Sequence, residues 1–459
     1  MPTSTDLNTP ILEGGLQRIP FFNGRVLTAE DLNTEQDANA QERRRLGRVH
    51  GPGVLEGLFV RSTDDSTTVR VEPGLALAPS GQTVALPQRT KVSVVSEIDR
   101  NKTGGTEGQF ANCSTQHAIA TSGTGAYLLV LEPASGTQGR VPRTSFRGDG
   151  VAGECGAQYR VEGARLRLVC LDTTADALVP PPIQTEVQEE EATLKEALQD
   201  GDDPAPAILS RLRNLLAHAC LRTPQVPREA ADLYTTLRDA AQGKAGPNSG
   251  GPAGPTDVQA YSDVGPDAVP IGLLYWAQDR ILFVDSWSVR RRVHRSDPQR
   301  PTPATDRRRA ETEAAIYQFQ DHVADLVQTL GFRERVELGA NDLFPFLPPL
   351  GTIPNEQGDR DGFDIYEFFD GLSTRDYLHI EGATLRDLMS EATRVDPFRT
   401  DTEQLVWRYR VREDMQSSRG EDPSSFVVFT SGFVPHAAEP QYNLSRFGYA
   451  NYGPGVAVR

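Results

Sequence analysis

The spacing of apolar residues along this chain changes near residues 182 and 257 and so divides it into three stretches. Before residue 182, apolar side chains recur at alternate positions in short runs such as 158–171, a pattern that predicts half-buried β-strands. Between the two changes they recur every three or four positions, as in 207–221, which predicts amphipathic helices. After residue 257 both spacings occur. We therefore predict a multidomain α+β protein with a β-rich N-terminal region (1–182), a helical segment ending in a Gly/Pro linker (183–257) and a mixed α+β C-terminal domain (258–459).

Turn residues delimit the predicted strands and loops. In the first region we expect strands at 54–60, 68–71 and 83–86, separated by Pro-Gly and Pro-Ser-Gly turns. Two stretches rich in Gly, Thr and Ser, 101–125 and 134–156, are expected to be long surface loops. In the third region, the apolar runs 268–276 and 280–287 are joined by a short connection, which predicts a hairpin.

A long helix is expected over 305–330, and its apolar residues form a regular stripe. These residues are spaced 3, 4, 3 and 4 apart, as in a heptad seam: Ile316, Phe319, Val323, Leu326 and Leu330. Such a stripe is either a helix face buried within the chain or a contact between subunits, and the sequence leaves both open.

A shorter polar helix opens the chain near residue 29. Thr28 stands where a helix N-cap is expected, and Asp31 follows three residues later, which predicts a capping box. The cationic last turn suits the helix dipole, and we expect the helix to stop at Gly47.

The residues around this helix resemble a known module. The segments FFNGRVLTAEDL (21–32), VLEGLFV (54–60) and VEPGLALAPSGQTVAL (71–86), with an Arg cluster and a Gly-Pro-Gly corner between the first two, are similar to a module of phage-tail-like contractile injection systems. Proteins with that module are baseplate and tail-associated structural components. The resemblance covers residues 18–90, about a fifth of the chain.

This resemblance implies a non-enzymatic structural protein that forms interfaces with other particle proteins, namely baseplate, tube or sheath components. It also implies assembly in the cytoplasm, with release outside the cell as part of the particle, and a homo-oligomer of three or six copies. Within the module, Phe21, Phe22 and Arg25 are expected to hold the opening turn and are candidate interface residues.

Charge and cysteine content narrow the alternatives. A formal net charge of −16 disfavours nucleic acid as a partner, and no apolar run is long enough to span a bilayer. The four cysteines form no CxxC pair, so a zinc knuckle or dithiol motif is unsupported. Cys170 and Cys220 are expected to be small core residues in a reducing interior, whereas a bridge between Cys113 and Cys155 is left open.

No motif of a known catalytic site occurs, so we predict that the protein is not an enzyme and has neither cofactor nor metal. The best candidate for an ion site is the carboxylate group of Asp359, Asp361 and Asp364, which an Asp-rich turn before a helix explains equally well. His379 and Glu381 are candidates for an acid–base pair, and a domain-edge position is the simpler explanation.

The C-terminal tail carries clustered aromatic residues among turn residues: Tyr442, Phe447, Tyr449 and Tyr452. Such residues suit an interface, since they give large contact areas at low entropy cost, but they also suit a tail pinned on its own domain. The tail and the long loops motivate an alternative function, a surface- or carbohydrate-binding fibre-like module. A toxin or enzyme cargo docked through the N-terminal module is a third hypothesis.

Limited proteolysis should cut this chain first between residues 243 and 256, because that stretch is rich in Gly and Pro and has few apolar residues to anchor it. Mass spectrometry of the early fragments checks this. A chain that resists there but is cut within 270–330 would contradict the predicted boundary.

Overall fold

The computed structural model describes residues 16–94, 123–143, 154–171, 181–199, 204–221, 267–293, 305–355, 362–374, 377–412 and 426–435. Helices and strands are interleaved in these ranges, with four antiparallel sheets and one mixed sheet. The predicted α+β class is therefore confirmed.

The N-terminal part consists of one helix and two small antiparallel sheets, ordered β1-β4-β5 and β2-β3-β6. Its elements are α1 (Ala29–His50), β1 (Gly53–Gly57), β2 (Val60–Ser62), β3 (Thr68–Val71), β4 (Gly74–Leu77), β5 (Thr83–Leu86) and β6 (Thr90–Ser93). The single strand predicted at 54–60 is wrong, because the backbone turns at Gly57 and Leu58, both with positive φ, and passes from one sheet to the other. Leu58 is fully buried and keeps a positive φ that is uncommon for residues other than glycine.

A four-stranded antiparallel sheet, ordered β10-β9-β7-β8, forms the centre of the molecule. Its strands are β7 (Gly125–Arg143), β8 (Glu154–Cys170), β9 (Val269–Ala277) and β10 (Arg280–Asp285). The hairpin predicted between the last two is confirmed, and Gln278 and Asp279 both adopt the positive φ of a type I′ turn. The surface loop predicted at 134–156 is wrong at both ends, since 134–143 continues β7 and 154–156 begins β8.

Both faces of the central sheet are covered. One face packs on α2 (Pro181–Gln199) and α3 (Pro206–Leu221), and the other packs on the two N-terminal sheets. Strands from the predicted 1–182 and 258–459 segments pair in this sheet, and helices from 183–257 contribute to its core. One of the hydrophobic clusters therefore contains described residues of all three segments.

The C-terminal part packs a mixed sheet between helices. Its helices are α4 (Thr305–Thr329), α5 (Phe332–Glu337), α6 (Ala340–Leu343), α7 (Ile365–Phe368) and α8 (Gly382–Ala392). Its strands are β11 (Phe346–Leu347), β12 (Leu350–Pro354), β13 (Ser373–Thr374), β14 (Leu378–Ile380), β15 (Phe398–Arg399), β16 (Leu405–Val411) and β17 (Phe426–Ser431).

The apolar stripe of α4 is buried inside the chain. All five of its residues, from Ile316 to Leu330, are at most 5% exposed, and they pack on Leu350, Phe344 and Phe429 among others. Of the two alternatives left by the sequence, the intrachain one is therefore the one found, and the stripe is not available to a second subunit.

The two cysteines expected in the core, Cys170 and Cys220, differ in oxidation state. Cys220 is a buried free thiol, as predicted. Cys170 is disulfide-bonded, so the expectation of a reduced core thiol is wrong. It lies half-buried at the end of β8, opposite Tyr127, where its sulfur is near the edge of the core.

A buried polar cluster joins α3, α4 and β10. Arg213, which is 6% exposed, donates from Nε to Asp285 (3.1 Å) and from Nη1 to Asp325 (2.7 Å). Next to it, Ser210 donates its hydroxyl hydrogen to the carbonyl of Leu343 (2.8 Å) and therefore accepts from Nε2 of His322 (3.1 Å). Nε2 of His322 therefore carries a proton.

Protonation of His322 is strongly opposed in the folded state. Its Nδ1 is buried without a partner among the described residues, so a proton there would find no acceptor. Burial, with the charge of Arg213 as a lesser cause, lowers the pKa of His322 well below its usual 6.5.

Acid should therefore destabilise this fold in part through His322. Above pH 6.5 the residue is neutral in both states; below it, only the unfolded chain takes up the proton, so stability falls by about 1.4 kcal/mol per pH unit until the folded pKa is reached. Urea unfolding of wild type and of His322→Gln between pH 7.5 and 5 measures this. The variant cannot be protonated and keeps a hydrogen-bonding amide, so its stability should fall less steeply. Identical pH dependence in the two proteins would contradict the assignment.

Candidate protein-interaction surface

Residues 16–27, here called the strap, run back along α1 and are held to it by polar contacts. Arg18 pairs with Glu42 and Glu35, and the backbone N–H of Ile19 donates to a Glu35 carboxylate oxygen (3.2 Å). The irregular strap and α1 run antiparallel to each other, and we call the two together the α1 hairpin. Ala38 is the buried residue of α1.

Arg25 closes the turn between the strap and the helix. Its Nη1 donates to the carbonyl of Pro20 (2.9 Å), its Nη2 donates to Asp31 (2.9 Å), and its guanidinium carbon lies 5.9 Å from the centroid of the Phe22 ring. The side chain thus holds the turn to the first turn of α1, where the sequence analysis expected it to act.

The first turn of α1 has the predicted capping box. The backbone N–H of Asp31 donates to the hydroxyl oxygen of Thr28 (3.2 Å), and the N–H of Thr28 donates to the Asp31 carboxylate (2.9 Å). The backbone and hydroxyl hydrogen bonds from Thr28, followed by the contact with Arg25, lower the pKa of Asp31. The carboxylate is therefore ionised at neutral pH and keeps both contacts.

The helix continues past its predicted end at Gly47 and stops at His50, where Gly51 caps it with positive φ. Gly47 is instead a docking point. A Cβ built on it would lie 2.2 Å from the carbonyl oxygen of Gly81, in the turn between β4 and β5. Beside this backbone contact, Arg44 donates to the side chain of Gln82 (3.1 Å).

The α1 hairpin exposes several large apolar side chains among its charged and polar ones. Phe21 and Phe22 are 60% and 65% exposed, and Val26 is 84% exposed. The other large exposed apolar residues of this region are Leu27, Leu32, Leu46, Val49 and Leu55. An apolar surface of this kind marks an interaction site in soluble proteins.

Hydrogen bonds hold the N-terminal sheets, and with them α1, to the rest of the chain. Ser286 accepts from the N–H of Val60 (2.9 Å) and donates to its carbonyl (2.6 Å). Arg290 donates to the carbonyl of Gly57 (2.7 Å) and lies between the rings of Phe59 and Trp287, at 4.3 and 4.8 Å. Burial, with Arg292 as a lesser cause, lowers the pKa of Arg290 to about 10, so it remains charged at neutral pH.

Sequence patterns missed a second projecting feature, the outer ends of β7 and β8. Residues 135–141 pair with 156–162 and, among the described strands, with no other, and most of their side chains are exposed, including Tyr159. The ribbon is hard to see in the sequence because Gly136, Gly139 and Gly163 interrupt the alternation that identifies strands.

The other candidate residues are accounted for as follows. Asp364 caps α7, accepting from the N–H groups of Tyr366 (2.8 Å) and Glu367 (3.2 Å), while Asp359 and Asp361 lie outside the described residues. Among the residues that the structure describes, no group of three or more His, Cys, Asp or Glu side chains is placed to hold a metal ion. Within the same ranges, no helix is both long and apolar enough to cross a membrane.

The tail aromatics Tyr442, Phe447, Tyr449 and Tyr452 also lie outside the described residues, and their role stays a prediction. Glu381, the partner suggested for His379, accepts from Nη1 of Arg412 (3.0 Å) at the start of α8. That ion pair explains the position of the carboxylate without an acid–base role.

Comparison with known proteins gives weak structural likenesses, of which TssK is an example. No family model matches this chain, and no curated protein matches it. A crystal structure of TssK is similar over 50% of this chain and 63% of its own, less than two thirds of its length, with 13% sequence identity and a TM-score of 0.20. A TM-score this low carries no argument about fold or function, so the proposal below depends on residues of the chain itself.

Gly47→Ala tests the docking of α1. In an unconstrained helix this change stabilises by about 1 kcal/mol, but here the new Cβ meets the Gly81 backbone, so we expect the chain to lose about 1–3 kcal/mol and α1 amides to exchange faster. Hydrogen exchange and urea unfolding provide the measurement. Gly136→Ala, whose Cβ has no atom within 4 Å, is the matched control and should change stability by less than about 0.5 kcal/mol. A more stable Gly47→Ala protein would contradict the close contact.

Proposed function

We propose that this protein is a non-enzymatic structural component of a phage-tail-like contractile injection particle, at the baseplate or another tail-associated position. The observation that carries the proposal is the α1 hairpin: within the segment with the resemblance, 18–90, large apolar side chains of the strap and of α1 are exposed in the part of the chain that the structure describes. Exposed apolar side chains of this kind can form an interface with another protein.

The polar construction of the hairpin supports this proposal. The polar helix α1 is held to the strap by Arg18, Arg25 and the capping box, and the large apolar side chains of the hairpin, such as Leu32 and Leu46, are exposed. Leaving Phe22 and Val26 in water has a solvation cost, which a partner would remove.

The α1 hairpin is anchored to the rest of the chain through the N-terminal sheets. The sheets that carry α1 are fastened through Ser286 and Arg290, so a load on the hairpin passes into the central sheet. Assembly in the cytoplasm with other particle proteins, and release with the particle, belong to the same proposal. The fibre-like and cargo alternatives rest on the tail and the loops and stay predictions.

Removing the gene from a cell that makes such particles, and imaging the particles, tests the role. We expect incomplete or non-functional particles, because a structural interface would be missing. Complete particles that function normally would contradict the proposal.

A variant experiment locates the role on the hairpin. Phe22→Ala, Val26→Ala and Leu32→Ala together should leave the fold unchanged, since all three side chains are exposed, but keep the protein out of particles. The matched control replaces three exposed aromatic residues elsewhere with alanine: Phe332, Tyr366 and Phe433. Quantitative mass spectrometry of purified particles gives the incorporation. Equal incorporation of the two variants would show that the hairpin is not the interface.

A further inference from the structure

Two arginines project from one face of strand β16 in the C-terminal part. Arg408 and Arg410 are two positions apart in the strand, so their side chains lie on the same side of the sheet. Tyr409, which stands between them, points to the opposite side and is fully buried in the core there. In a chain with a net charge of −16, two neighbouring cations on one sheet face form a local region of positive charge.

The ring of Tyr377 lies against both of these charges. Its centroid is 4.5 Å from the guanidinium carbon of Arg408 and 4.5 Å from that of Arg410. Tyr377 immediately precedes β14, which pairs in parallel with β16 and places His379 opposite Arg410. The fold thus holds two like charges beside one aromatic ring, although like charges repel.

The Arg410 side chain lacks an acceptor for its N–H groups. It is half-buried, and its Nε is buried without a hydrogen-bond partner among the described residues. Within the same ranges its guanidinium group forms no ion pair, whereas the next arginine, Arg412, pairs with Glu381 (3.0 Å). Arg408 is more deeply buried, at 8% exposure, and its Nη1 lies 3.5 Å from the hydroxyl oxygen of Tyr377.

Stacking on an aromatic ring stabilises the charge of a guanidinium group but leaves its N–H groups, which lie in its plane, without acceptors. Buried N–H groups without acceptors are costly, and an oxyanion would satisfy them, because two of its oxygens match the paired donors of arginine. The Tyr377 hydroxyl is a further donor. Burial raises the pKa of Tyr377, and the charges of the two arginines offset this only in part, so the hydroxyl is protonated at neutral pH.

We propose that Arg408, Arg410 and Tyr377 form a binding site for an oxyanion, a phosphate or carboxylate group of a ligand. The two guanidinium groups supply positive charge and paired N–H donors, and the Tyr377 hydroxyl supplies a third donor to the same anion. These residues lie outside the segment 18–90, so the site does not depend on the structural role proposed above.

Titration of the purified full-length chain with inorganic phosphate, and in a second arm with succinate, tests the site. Isothermal titration calorimetry in a chloride-containing HEPES buffer gives the affinity, and thermal melting gives the stabilisation that a ligand of the folded chain produces. We expect at least one of the two anions to bind and to raise the melting temperature, less so at high salt. The anion that binds more tightly identifies the ligand group as phosphate or carboxylate. Binding of neither would overturn the proposal.

Two matched variants locate the binding. Arg410→Gln and Arg386→Gln each remove one positive charge, and Arg386 is exposed on α8. Arg410→Gln should weaken anion binding by at least about tenfold, whereas Arg386→Gln should bind as wild type does. Without added anion, Arg410→Gln should melt within about 2 °C of wild type, because no ion pair is lost.

Two results with these variants would contradict the site. Equal anion binding by Arg410→Gln and Arg386→Gln would show that the anion binds elsewhere. A larger loss of melting temperature in Arg410→Gln without anion would show that the arginine is kept for the stability of the fold and not for a ligand.

Discussion

Much of this structure depends on the buried ion pair between Arg213 and Asp285. The guanidinium lies on α3 and the carboxylate ends β10, so the pair joins the helical segment to the central sheet, and Asp325 extends it to α4. The second carboxylate oxygen of Asp285 accepts from the backbone N–H groups of Trp287 and Ser288. Removing one member of such a pair leaves a buried charge and typically costs about 3–5 kcal/mol.

The turn that Asp285 holds also positions the N-terminal part. It carries Ser286 and Arg290, which fasten Val60 and Gly57 and so set where the two small sheets, and the hairpin above them, are placed. One buried carboxylate thus connects the deepest polar cluster with the most exposed apolar surface. The surface is held at a defined position although little of α1 itself is buried.

The α1 hairpin reverses the usual distribution of side chains. Salt bridges and caps, which are weak when exposed, hold its two arms together, while the apolar residues that would normally stabilise a helix face outward. A hairpin built this way gains stability when another surface covers it. That dependence is suited to a part of an assembly.

Local chemistry of the sequence determined the elements whose contacts are close along the chain. Thr28 and Asp31 form the capping box because they are three residues apart, and the type I′ turn at Gln278 and Asp279 follows from a two-residue connection between apolar strands. The long helix α4 was also predictable, since its heptad spacing requires no knowledge of what covers it.

Tertiary structure decided what lies against each element. The stripe of α4 faces residues such as Leu350 and Phe429, far along the chain, which spacing alone does not reveal. Glycine is typical of the end of a helix, and on that basis the sequence predicted that α1 stops at Gly47. In the structure Gly47 lies inside the helix, where its backbone contacts that of Gly81, because only two glycines allow the backbones to approach so closely. The outer ends of β7 and β8 became a ribbon rather than loops because their backbone groups pair with each other. For α1, sequence gave the helix and its charges, and only the fold decided that its apolar side would face outward.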